Sequence, residues 1–247
     1  MNAVFQPCGR GRLSGRNRTG IDTARRRREA QPVASIDTVI FDLGGVLMLN
    51  GGPADFTKRY PEHDPKVLQA ILMGPYAQDT DHHWHRVERG ELSMAEAREA
   101  NRVALAAAGI TLTPGRPGAM VFERNDAMIA LVGELRTQGL RTGMLTNNVK
   151  EFRELWWPLA DWPSMFDDIV DSHELGMRKP NPAIYRLALE RLGAVAGNAA
   201  FLDDIESNVH AASAVGMTGI HVTGDGADAI ATVRDLTGLQ PPASRSN

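Results

Sequence analysis

Four short segments carry side chains whose types and order could do chemistry. They are Asp42-Leu-Gly-Gly-Val, Leu145-Thr146-Asn147-Asn148, Gly176-Met-Arg-Lys179-Pro180 and Phe201-Leu-Asp203-Asp204-Ile-Glu-Ser-Asn208. Taken singly each has an ordinary explanation: an Asp before glycines is a turn former, Lys179-Pro180 suits a surface loop, and Asp203-Asp204 suits a helix cap. Taken together they supply what phosphoryl transfer through an acyl phosphate requires, namely a carboxylate nucleophile, a hydroxyl donor, a fixed cation and further carboxylates. A phosphate approaches a bare carboxylate only if the repulsion between anions is cancelled. A hard, oxygen-ligated cation such as Mg²⁺ does this and also polarises the phosphoryl group. Lys179 adds a second positive charge, and Thr146 with the backbone N–H groups after it can donate to phosphate oxygens.

These segments must be held by something, and the surrounding pattern says what. Ile36 to Phe41 is a short apolar, β-branched run that delivers Asp42 to its end. Similar runs recur at Leu140 to Leu145, near Phe166 to Val170, at Ala199 to Leu202 and at Gly219 to Val222, with helical stretches between them. Alternating strand and helix predicts an α/β fold with a parallel sheet covered on both faces, whose ligands sit beyond the C-terminal strand ends. Between the first two strands, residues 51-118 form an insertion bracketed by turn-forming segments at 50-53 and 114-118. Within it Pro65 to Met73, Thr80 to Arg89 and Ser93 to Ala108 read as helices, with Ser93 and Glu96 spaced as a capping box. An all-helical cap over the sheet's active edge is therefore expected. Val121 to Gln138 is predicted to return to the core as an amphipathic helix stopped at Gly139.

Composition limits the function classes. The 247 residues carry a formal net charge of −3, but residues 1-35 hold eight arginines against Asp22 and Glu29. What remains has 19 basic and 28 acidic residues, a body near −9, which gives no support to nucleic-acid binding outside the tail. The tail is expected to be disordered; an anionic-partner arm, an organellar presequence or a mis-started N-terminus are its readings. Residues 241-247 read as a frayed C-terminal tail. No apolar run is long enough to span a membrane or to act as a secretory segment, and Cys8 is the only cysteine. A cytoplasmic protein, monomeric or homodimeric, is the expectation.

With all four motifs in order, residues 36 to 237 resemble the haloacid dehalogenase-like hydrolase superfamily, in particular the branch that includes the N-terminal phosphatase domain of soluble epoxide hydrolases. LTNN, RKPNPAIY and FLDDIESN are the strings that carry the resemblance. It implies a Rossmann-like core at 36-50 and 119-240 with a helical cap inserted after the first strand. It also implies Asp42 as nucleophile, with Thr146, Asn147 and Lys179 around the phosphate. Mg²⁺ would be held by Asp42, the carbonyl of Gly44 and the acidic pair, with Asp204 the direct ligand and Asp203 acting directly or through water. The implied activity is Mg²⁺-dependent hydrolysis of a small phosphorylated metabolite through an aspartyl-phosphate.

One position departs from the family's phosphatase pattern: the second Asp, two residues after the nucleophile, is here Gly44. A metal contact through a carbonyl survives this change, but the group that protonates the leaving oxygen does not. Three outcomes stay open. Substrates with a good leaving group, such as acyl phosphates or sugar 1-phosphates, or another acid (His82, His83, His85 or His173) would preserve a phosphatase. Displacement of halide from a 2-haloacid would need no proton and no metal. A phosphoester-binding module would need no turnover. Trp84, Trp156, Trp157 and Trp162 are expected to be core or interface residues rather than a substrate wall. The Asp79-to-His85 run has no persuasive metal-ligand spacing.

Overall fold

A computed structural model describes residues 35-50, 57, 60-112 and 122-240, so the Arg-rich tail, most of the turn-forming brackets and the last seven residues lie outside the described residues. Five strands, β1 (Thr38–Phe41), β2 (Arg141–Thr146), β3 (Asp168–Asp171), β4 (Ala199–Asp203) and β5 (Thr218–His221), form one parallel sheet in the order β3-β2-β1-β4-β5. The central strand β1 pairs on one side with β2 and on the other with β4. Strand order therefore reverses across β1, and its C-terminal end opens at the crevice where ligands bind in such sheets.

The two-residue period of β1 sorts its side chains onto two cores. Val39 and Phe41 join a cluster with Met128, Leu131 and Val132 of one helix, Asp126–Thr137 (α4), and Val233 of another, Ala227–Thr237 (α7). Ile40 points the other way, with Leu145 and Phe201, onto Ile184, Tyr185 and Ala188 of Pro182–Leu192 (α5). Burial on both faces is why β1 and β4 are almost wholly apolar. Trp156 and Trp162 are fully buried in the first of these cores, joined by a Trp162 Nε1 donation to the Trp156 carbonyl at 3.2 Å; their role is packing.

Among the described residues, the insertion after β1 contains the helices α1 (Pro65–Leu72), α2 (His83–Glu88) and α3 (Met94–Ala107). Leu68, Leu72, Met73 and Leu105 give it a small core of its own, while Val87 and Ala97 close on Val149, which follows β2. The Ser93–Glu96 capping box forms as expected, with both reciprocal bonds present. Several boundaries differ from expectation. Helix α4 starts at Asp126 rather than Val121, because Asn125 caps it by accepting from the Met128 N–H and Arg124 is drawn into a bridge with Met48. Helix α2 is shorter at its start because the His82 side chain accepts from the Trp84 N–H and fixes the first turn there. Strand β3 begins two residues late because Phe166 turns into the core, stacked on Trp162 at 6.3 Å.

His85 on α2 is buried, and that burial, reinforced by the Arg178 charge, pushes its pKa from the ordinary 6.5 down to about 3. A folded-state pKa below the unfolded one means that this contribution to stability is complete above about pH 6.5. It is lost as pH falls toward 3, since the unfolded chain takes up the proton first. Replacing His85 with Gln should flatten the acid limb of a urea-denaturation stability profile between these limits; a limb of unchanged slope would contradict the neutral, buried imidazole.

Candidate active site

The loop after β1 is shaped to present a carboxylate. The Asp42 N–H still donates to the Leu202 carbonyl at 2.9 Å, so the residue is held in the sheet's frame, and its Oδ1 accepts from the Leu43 N–H at 2.7 Å. Two residues further on, Gly45 has φ +71°, and a Cβ there would lie 2.4 Å from the Asp204 carboxyl carbon. Glycine at 45 is thus required both for the turn and for the approach of Asp204. Gly44 is not among the left-handed glycines, and its backbone bridges to Met48.

Lys179 is completely buried, and its ammonium spends all three protons on protein oxygens: Asp42 Oδ1 at 2.8 Å, Asp203 Oδ2 at 2.7 Å and the Leu145 carbonyl at 3.0 Å. Burial by itself would lower its pKa; Asp203 and Asp42 outweigh it, and the net displacement is upward. The backbone of Lys179 is clamped as well. The Asn147 side chain donates to its carbonyl at 2.9 Å and accepts from its N–H at 2.8 Å.

Asp203 is saturated. Its Oδ1 accepts from the Ile205 N–H at 2.8 Å, and Asn208 Nδ2 bridges both oxygens at 3.1 Å. Asn208 lies in the first turn of the helix Glu206–Ala214 (α6), five residues past Asp203, which is how the DDIESN string closes on itself. Asp204, by contrast, keeps its carboxylate oxygens free of side-chain donors among the described residues. Burial, then the Asp203 charge, lifts its pKa to about 7 against the pull of Lys179. Burial likewise raises Asp42 well above the usual carboxylate range, with Asp203 and Asp204 adding to the effect and Lys179 opposing it.

Oxygens of Asp42, Asp203 and Asp204 all lie within 4.8 Å of one another. Three carboxylates around a single ammonium leave an excess of negative charge in a dry place, and the upward shifts of Asp42 and Asp204 register it. This all-oxygen, charge-rich donor set fits a hard divalent cation, with Asp42 and Asp204 the members having uncommitted oxygens.

The structure brings Asp42, Lys179, Asp203 and Asp204 together, and Thr146 ends the neighbouring strand β2, nearly buried, its hydroxyl without a hydrogen-bond partner among the described residues. The Asn147 side chain is committed to Lys179, so its main chain is what remains for a ligand. None of the four histidines considered as acids hydrogen-bonds Asp42, Lys179, Asp203 or Asp204. His82 caps α2, His83 meets Asn101, His85 accepts from Thr80, and His173 pairs with Asp171 at 2.8 Å. Sequence reasoning missed Asn208 and Arg178. The first had a signal in its spacing from Asp203; the second, fully buried beside Lys179, had none, because its partner Glu88 is ninety residues away.

A family model for haloacid dehalogenase-like hydrolases matches residues 36–216. The chain is a haloacid dehalogenase-like hydrolase. Among curated relatives, a sesquiterpene phosphatase of Aspergillus oryzae is 33% identical over 81% of this chain and 94% of its own length. The bifunctional epoxide hydrolase 2 of Rattus norvegicus is 27% identical, and acyl-CoA dehydrogenase family member 10 of Mus musculus 29%; the chain covers 82% and 76% of itself in these matches but only 39% and 18% of those longer proteins. Among solved structures, an enzyme of this family from Bacteroides thetaiotaomicron, in complex with magnesium and inorganic phosphate, shares the fold. It has a TM-score of 0.54 and 19% identity over 76% of this chain and 94% of that one. Among the described residues, no helix of this hydrolase is long and apolar enough to cross a membrane.

Lys179→Met leaves Asp42 and Asp203 buried without their cation, and should lower unfolding free energy by about 3–5 kcal/mol in urea titrations. Adding Asp203→Asn should recover part of that loss. A stable single variant, or a double variant no better than the single, would contradict the shared-ammonium arrangement.

Proposed function

We propose that this hydrolase is a Mg²⁺-dependent phosphatase acting on a small phosphorylated metabolite through an aspartyl-phosphate on Asp42. The observation that carries the reading is the placement of Asp42 between Lys179 at 2.8 Å and the carboxylate of Asp204, with one Asp42 oxygen uncommitted. The phosphatase named among its relatives at 33% identity supports the same reading.

In this reading the free oxygen of Asp42 attacks phosphorus, the bond from phosphorus to the leaving oxygen breaks, and water then attacks the phosphorus of the acyl phosphate to return the carboxylate. Lys179 holds Asp42 in one rotamer and neutralises charge beside the incoming phosphate. The Thr146 hydroxyl and the N–H groups after β2 donate to the phosphate oxygens. Asn147 serves by fixing the Lys179 backbone, and Asp203 by anchoring the ammonium from behind. Asp42, Asp204 and the Gly44 carbonyl would hold Mg²⁺, which when bound supplies charge neutralisation and polarises the phosphoryl group. The helical insertion acts as a cap that closes the strand ends from water and selects the organic part of the substrate.

Gly44 cannot protonate a leaving group. The substrates this site serves best are therefore those whose leaving oxygen needs little protonation, acyl phosphates and sugar 1-phosphates among them. A dehalogenase has no use for a cation-binding cluster, and the acidic set at 42, 203 and 204 weighs against that alternative.

Phosphate release from a panel of acyl, sugar and activated aryl phosphates should require Mg²⁺ and fall by roughly 10⁴-fold or more in Asp42→Asn. Halide release from a 2-haloacid in the presence of chelator, with no phosphate released, would overturn the reading. Gly44→Asp should accelerate turnover of alkyl phosphates by about 10²-fold, the low end of what a positioned acid contributes, with little gain on acyl phosphates. Equal gains on both would show that the missing acid is not the limitation.

A further inference from the structure

Among the described residues, the junction between the insertion and the sheet contains two buried donors with nothing to donate to. Arg178 comes from the core segment that carries Lys179, and all of it is inaccessible. Its Nε donates to Glu88 Oε2 at 2.6 Å and its Nη1 reaches the Gln78 carbonyl at 3.4 Å, but its Nη2 has no acceptor among the described residues. His85 lies three residues before Glu88 on α2, hence on the same face of that helix. Its Nδ1 accepts from the Thr80 N–H at 3.0 Å, which leaves the ring proton on Nε2. That Nε2 is also buried and also without an acceptor.

Orphaned buried donors are rare because each forfeits its hydrogen bond to water and receives none in return. Two of them, one from the core and one from the insertion, share neighbours: Arg178 is bonded to Glu88 and reaches Gln78, while His85, three residues before Glu88, is bonded to Thr80, two residues past Gln78. The place adjoins the reaction centre. Arg178 is bonded in sequence to Lys179, and the Ser207 hydroxyl, three residues past Asp204, donates to the Tyr76 carbonyl of the insertion at 3.0 Å.

The charges at the junction are already balanced. Glu88 answers Arg178, with its other oxygen accepting from Trp84 Nε1 at 3.0 Å, and Asp79 stands between Arg89 at 2.5 Å and Arg178 Nη1 at 3.8 Å, while Glu91 also pairs with Arg89 at 2.6 Å. A second full anion here would face the Glu88 carboxylate without a cation left to match it. A neutral acceptor oxygen, in contrast, would satisfy both donors at no electrostatic cost.

We infer that Arg178 Nη2 and His85 Nε2 form a recognition subsite for a neutral oxygen, a hydroxyl of a sugar or polyol, on the organic part of the phosphorylated substrate. The inference rests on the phosphatase reading of the neighbouring site and narrows its substrate class. Because both donors are buried, the substrate binds while insertion and core are apart, and closure brings the donors onto its oxygen. The same device rejects esters without the hydroxyl, since they leave the donors unpaired on closure.

The test uses matched esters with like leaving groups: inositol 1-phosphate against cyclohexyl phosphate, and glycerol phosphate against propyl phosphate, with an activated aryl phosphate as reference. The full-length enzyme with Mg²⁺ should prefer the hydroxylated member of at least one pair by about tenfold or more in kcat/KM. In Arg178→Lys, which keeps a cation for Glu88 but lacks the forked donor, that ratio should fall toward unity, chiefly through KM. His85→Phe, which keeps the ring without its N–H, should do the same. The ratio within a pair, not the absolute rate, is the readout, and the wild-type ratio needs no variant to fold. No preference in either wild-type pair, or a preference that both variants retain, would overturn the subsite and leave the donors to an internal water. Silence on every ester including the aryl reference would overturn the phosphatase reading instead. In that event calorimetric binding of the same pairs to Mg²⁺-loaded Asp42→Asn decides the subsite separately, equal or absent binding within both pairs counting against it.

Discussion

A single buried ammonium organises the C-terminal strand ends of this sheet. Lys179 contributes one positive charge between Asp42 and Asp203 and returns its third proton to the carbonyl of Leu145 at the end of the neighbouring strand. Each of these charges would be costly alone in so dry a place; together they are tolerable because all three ammonium protons and both Asp203 oxygens are matched. The arrangement ties three strands, β1, β2 and β4, and the segment before α5 to one point. Asp42, its electrostatic partner and the acidic pair then share a frame that cannot shift piecemeal.

Around that point the fold supplies two kinds of support. The sheet and its two apolar cores fix where β1 and β4 end, so Asp42 and Asp203 emerge side by side from paired strands. Local hydrogen bonds then fix what each side chain does. Asn147 clamps the Lys179 main chain, Asn208 fastens both oxygens of Asp203, and Gly45 makes room for Asp204. The result is a division of labour between two adjacent aspartates: one is consumed in holding the lysine, the other stays available to a cation.

Much of this was legible in the sequence, and for identifiable reasons. Strand runs such as VIF and AAFL are apolar because both faces of the sheet are covered, and the acidic and hydroxyl residues stand at their ends because parallel strands place them there. The capping box at Ser93 and Glu96 is a local signal and was readable as such. What depended on distant partners was not. Arg178 reads as part of a basic loop, yet it is buried against Glu88 of the insertion, and nothing in either local string announces the pairing. The place of Asn147 after Thr146 points to its backbone N–H as a phosphate donor, but neither local string announces that its side-chain amide is spent on the Lys179 backbone, 32 residues away. The start of α4 was misjudged because the apolar pattern runs on past Asn125, where a side-chain cap and a bridge to Met48 interrupt it.

Gly44 brings no acid to Asp42, so in the proposed reading the insertion bears on leaving-group chemistry as well as on substrate choice. The central claim, however, concerns Asp42. Acid-quenching the Mg²⁺-loaded enzyme during turnover of an acyl phosphate, followed by peptide mass spectrometry, tests it most directly. A phosphoryl group on the peptide containing Asp42, absent in Asp42→Asn, is the predicted result; phosphate release under the same conditions with no phosphoryl group ever trapped on that peptide would contradict it.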